Sequence, residues 1–162
     1  MAIPVLGLAV MLQTSIVERI NLLNGAADLV LLITAAWCLQ ERARGAWMWG
    51  LLASLLVGFV SGLPWFVPLA GYLIIVGLAR ILAHRVWQAP LLAMFTVTFI
   101  GTLVLLMITF SERTLLEVSL PLNLSFVQII LPSVLLNLLL AIPVHSVIRD
   151  LVNRLYPEEV AS

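Results

Sequence analysis

Charge is scarce in this chain, with eight Lys or Arg and eight Asp or Glu spread over 162 residues. Ala46 to Ala79, Val86 to Ser111 and Val118 to Ile148 contain none. A soluble chain of this length needs charge around its whole surface, whereas a chain dissolved in lipid carries charge only where its helices meet water. The scarcity therefore excludes an ordinary soluble domain. With a formal net charge of zero and no long basic run, it also argues against a nucleic-acid partner, because phosphate binding needs a concentrated basic face. Cysteine is limited to Cys38, so no internal disulfide can form. Enzyme signatures are missing: there is no HExxH, GxSxG, CxxC or glycine-rich phosphate loop.

Apolar residues dominate instead, at 63% of the chain and a mean hydropathy of +1.18, against roughly 45 to 50% apolar usage in soluble domains. A membrane span needs about 20 apolar residues, and the charge-free stretches divide accordingly. The expected spans are about 1–17, 26–40, 46–61, 65–82, 89–110 and 124–148, forming one helical domain over residues 1–162. The first lacks a basic leader and a small-x-small cleavage site, so it reads as a retained span. Ala46 to Ala79 would run about 50 Å as a continuous helix, too long for one crossing, and Ser61-Gly62-Leu63-Pro64-Trp65 supplies the break. The second span is the short one. Pro132 and Pro143 are expected to kink the last.

Arginine sets the expected orientation, since short cytoplasmic loops are rich in basic residues. Arg42 and Arg44, Arg80 and Arg85, and Arg149 and Arg154 follow spans two, four and six, which puts both termini in the cytoplasm. The other connections hold Glu18, Arg19 and Asp28, then no charge, then Glu112, Arg113 and Glu117. On this reading Asp28 is external and no ionisable group lies at mid-membrane depth, which argues against ion-coupled transport. Trp37, Trp47, Trp49 and Trp87 fall at the inner interface and Trp65 at the outer, where amphipathic rings are favoured.

Inside the spans, Ala46, Gly50, Ser54, Gly58 and Gly62 place one small residue at every fourth position, a stripe that lets a neighbouring helix approach closely. That neighbour is either another span of this chain or a partner's helix. Of the polar residues within spans, Gln13, Thr34, Gln128 and Asn137, the last is deepest and calls for a hydrogen-bonding partner helix. A Ser61 and His145 dyad and an Asp28 and Asp150 pair are each split between opposite membrane faces. His84 and His145 read as interface residues without metal-ligand spacing, and no metal or cofactor is expected.

Three segments carry a family resemblance. Leu12-Gln13-Thr14-Ser15 closes span one, Gly25-Ala26-Ala27-Asp28-Leu29-Val30-Leu31-Leu32 opens span two, and a glycine-rich third span, Gly50 to Gly62, runs into Ser61-Gly62-Leu63-Pro64. Together they resemble the MreD family, the small polytopic subunit of the bacterial rod-shape (elongation) complex. The similarity covers nearly the whole chain, with Ala27 where the family often has proline and Gly58 where it commonly has an acid. The resemblance implies a non-catalytic scaffold in the bacterial cytoplasmic membrane. Its implied partners are the bitopic protein MreC and, through it, the peptidoglycan polymerase and the transpeptidase (penicillin-binding protein) of lateral wall growth, with membrane lipids around it.

The expected fold is thus an all-α integral membrane protein, a six-transmembrane-helix bundle. It is similar to the substrate-binding subunits of energy-coupling-factor vitamin transporters, and such a subunit is the competing functional reading. That reading calls for convergent polar and aromatic groups beneath the outer loops, where Asn21, Asn24, Glu112, Glu117 and Asn123 stand. It also calls for an alanine-xxx-alanine face on the first span, which this chain does not have there.

Overall fold

The computed structural model describes residues 2–15, 27–41, 45–62, 64–85, 89–115 and 126–156. Among them are six α-helices and no strand: α1 (Ala2–Ser15), α2 (Leu29–Cys38), α3 (Ala46–Ser61), α4 (Phe66–Arg85), α5 (Pro90–Leu115) and α6 (Leu131–Leu155). A π-helical turn, Phe126–Ile130, leads into α6. Phe66–Arg85, Pro90–Glu112 and Gln128–Leu155 are long and apolar enough to cross a membrane, which marks the chain as a membrane protein. Arg42, Arg44, Trp87 and the connection with Glu18 and Arg19 lie outside the described residues.

Local chemistry sets the helix ends. Gly45 and Gly62 flank α3 with φ of 75° and 64°, a left-handed conformation that glycine adopts without a Cβ clash. Pro90 opens α5, where its missing N–H costs nothing. Pro132 likewise sits in the first turn of α6, and only Pro143 lies in that helix's interior. Helix α6 continues past the expected end at Ile148 to Leu155.

Helices α1, α2 and α3 are shorter apolar helices, and α2 is the shortest. Its ten residues span about 15 Å, half of a hydrocarbon core roughly 30 Å thick. Eight of the ten are buried. The outer helices succeed one another as neighbours in the order α1, α3, α4, α5, α6, and α2 touches all five. A short helix is stable at such a position because surrounding protein, rather than lipid, meets its ends. Helices α2 and α4 run in the same direction, since Tyr72 reaches Asp28 at one end and Arg80 lies within electrostatic range of Cys38 at the other.

Burial within the bundle divides the residues expected at the interfaces. Trp37 and Trp49 are buried and stack on each other with ring centroids 4.1 Å apart and planes 18° from parallel, whereas Trp47 and Trp65 are exposed. The stacked pair binds the end of α2 to the start of α3, a gain of about 0.5–1.5 kcal/mol beyond area burial. His145 is also interior, while His84 is exposed.

Candidate functional site: a polar cavity at the start of the central helix

The first turn of any helix leaves backbone N–H groups without intrahelical partners, and in a membrane interior each unpaired group costs several kcal/mol. Because α2 begins inside the bundle, side chains must meet this need. Asp28 is its N-cap, with Oδ1 accepting from the Leu31 N–H at 2.9 Å. Gln13 of α1 accepts from the Val30 N–H through Oε1 at 3.3 Å. Asn137 of α6 accepts from the Asp28 N–H through Oδ1 at 2.8 Å. The N–H groups of residues 28, 30 and 31 are thus answered by α6, by α1 and by the cap residue itself.

The network continues outward. Asn137 Nδ2 donates to the Thr102 hydroxyl of α5 at 2.9 Å, and that hydroxyl donates to the Thr98 carbonyl at 2.7 Å. The Tyr72 hydroxyl of α4 donates to Asp28 Oδ1 at 3.4 Å. Helices α1, α4, α5 and α6 are thereby all tied to the beginning of α2. Asn137 and Tyr72 are buried among the helices, where a low local dielectric strengthens these hydrogen bonds.

A half-enclosed cavity of about 330 Å³ adjoins the network. Gln13, Asp28, Ser61, Tyr72, Thr102 and Asn137 contribute polar groups to its wall, and Leu31, Val57, Pro68 and Leu105 contribute apolar ones. A second cavity of about 100 Å³ shares Gln13, Val57 and Ser61 with the first and extends to Thr14 and Val60, both exposed, between α1 and α3. Asp28 is half-buried and lines the larger cavity. Asp28, expected in an exposed connection, therefore stands within the bundle as an ionisable group. Among the described residues no group of three His, Cys, Asp or Glu side chains could hold a metal ion.

The small-residue stripe divides on inspection. At Gly50 an added Cβ would stand 2.5 Å from Val76 Cγ2 and 3.7 Å from the Tyr72 carbonyl oxygen, so α3 and α4 approach closely there. Ser54 is buried and donates to the Leu51 carbonyl at 2.8 Å. Gly58 is half-buried with Pro68 Cγ 3.3 Å from where its Cβ would be. Gly62 is exposed, meets nothing within 4 Å, and serves as the left-handed end of α3. Asn137 joins none of these. It belongs to the network at α2.

Tyr72 and Thr102 were not legible as site residues. The signal for Tyr72 is a phenol within a 20-residue apolar helix, since a buried hydroxyl finds a partner. Thr102 gives a weaker signal, because membrane helices commonly satisfy threonine on their own carbonyls, as Thr96, Thr109 and Thr114 do here.

No protein family, characterised protein or solved structure matches the chain.

Proposed function

We propose that this chain is a non-enzymatic membrane scaffold subunit of the bacterial rod-shape, peptidoglycan elongation complex, acting through an MreC-like bitopic protein on the wall polymerase and transpeptidase. The observation that carries the reading is the place of Ala27 to Leu32, the described part of the Gly25 to Leu32 segment that resembles the MreD family's opening of span two. It forms the start of the central helix, and its Asp28 joins the network that links four surrounding helices. A residue so placed sets the mutual position of the helices, as a scaffold requires. Broad apolar surface on the outer helices, including Phe59, Leu139 and Val147, then meets lipid and partner helices. In this reading both termini are cytoplasmic.

The test is gentle detergent purification of the tagged protein with identification of what stays bound. Recovery of an MreC-like protein together with a penicillin-binding protein is the expected result. Recovery of an ATPase-containing module without an MreC-like protein would overturn it and favour the second reading, the substrate-binding subunit of an energy-coupling-factor transporter. That second reading draws on one observation, the convergence of Asp28, Tyr72, Gln13 and Asn137 on a cavity.

A further inference from the structure

Beside the Gln13 amide and the Ser61 hydroxyl, which can donate, the cavity at the start of α2 carries hydroxyls whose protons are already committed. Thr102 donates to the Thr98 carbonyl, Thr109 to the Leu105 carbonyl and Tyr72 to Asp28. Each of these hydroxyls has one proton, already committed, and offers a ligand only lone pairs. The Asp28 carboxylate adds further acceptor capacity. Among the described residues no basic side chain pairs with it, its partners being the Leu31 and Val30 N–H groups and the Tyr72 hydroxyl. An acidic group in a membrane bundle without a cationic partner is costly, and such groups mark ligand or ion sites.

We propose that this cavity is a binding site for a small organic ammonium group, with the Asp28 carboxylate as its counter-ion and the hydroxyl oxygens of Tyr72, Thr102 and Thr109 as further acceptors. An ammonium carries several N–H donors and one positive charge, which matches an acceptor-rich wall with one carboxylate. At about 330 Å³ the cavity lies at the small end of ligand pockets, roughly 300–1,000 Å³, and is many times larger than a bare monovalent ion needs. Leu31, Val57 and Leu105 supply apolar wall for the carbon stem. The adjoining space past Gln13 and Ser61 to exposed Thr14 and Val60 gives a lateral approach between α1 and α3. The ligand is therefore either a free primary amine or the amine headgroup of phosphatidylethanolamine. The inference stands apart from the scaffold reading, because a bundle that binds no transporter module can still hold such a ligand.

The full chain in phosphatidylglycerol nanodiscs, titrated with ethanolamine hydrochloride against sodium chloride at equal ionic strength, supplies the test, read as the shift in thermal unfolding midpoint. A parallel preparation contains phosphatidylethanolamine, with native mass spectrometry to count retained lipid. A rise in midpoint with ethanolamine identifies a soluble source, and a rise with retained phosphatidylethanolamine alone identifies the lipid source. In either arm Asp28→Asn, which keeps an N-cap acceptor, should weaken the response about tenfold or more. Thr109→Ile, which leaves the α2 network untouched and fills the wall, should also weaken it. An equal shift with sodium chloride, no shift with either amine source, or an undiminished response in both variants would overturn the proposal.

Discussion

The backbone N–H of Asp28 donates to the side-chain oxygen of Asn137 at 2.8 Å, joining positions 109 apart in sequence. The Asn137 side-chain Nδ2 in turn donates to the Thr102 hydroxyl, so one side chain ties the start of the central helix to α5 and α6. Replacing Asn137 with Leu leaves a buried N–H unpaired, and we expect a loss of about 1–3 kcal/mol. Chemical unfolding in detergent, followed by tryptophan fluorescence, measures it. Leu139→Ala, on an exposed position two residues away, should change stability by less than about 0.5 kcal/mol.

Asp28 separates capping from charge. Asp28→Ala removes the N-cap acceptor for the Leu31 N–H, and the expected cost is about 0.5–2 kcal/mol. Asp28→Asn retains an acceptor and should unfold near the wild-type midpoint in the absence of amines. Thermal melts of the two variants side by side check the difference. Equal losses would show that the carboxylate's charge, not its cap, supports the fold.

At Gly50 the missing Cβ is structural. Gly50→Ala forces β-branched Val76 to move and should cost about 1–3 kcal/mol. Gly58→Ala meets only Pro68 at 3.3 Å and should cost less. Gly62→Ala meets no neighbour, but its φ of 64° exacts roughly 1 kcal/mol from a residue with a Cβ. Ranking the three by unfolding midpoint tests this division, and a Gly50→Ala variant as stable as wild type would show that α3 and α4 are not in close contact.

Orientation yields a separate expectation. Reporter fusions after Arg44, Arg85 and Arg154 should all report the cytoplasm. An external signal from any one of them would contradict the shared sidedness of these three positions.

Charge-free stretches marked helix positions well because lipid solubility demands them, and α3 occupies Ala46–Ser61 as its flanking breaks suggest. Asn137 was legible for the same reason: an amide in an apolar run needs a partner. Asp28 was not, because it follows Asn24 and Gly25 and stands with Glu18 and Arg19, a pattern that reads as a connection. Only the burial of α2 on all sides makes Asp28 interior. Nor does hydrophobicity distinguish the inward from the lipid-facing side of such a helix. Leu139 is 70% exposed and Ala141 fully buried, yet both are apolar, because lipid and protein interior favour the same side chains. Trp37 and Trp49 were placed at an interface by composition, while their stacking depends on the approach of α3 to α2.

The central structural claim is that a polar network inside the bundle fixes its helices to the start of α2. A double-mutant cycle of Thr102→Val and Asn137→Ala, measured by chemical unfolding in detergent, tests it most directly. The bond between these side chains predicts a coupling of about 0.6–1.7 kcal/mol. Strictly additive losses would contradict a network that joins α5 to α6 at the level of Asp28.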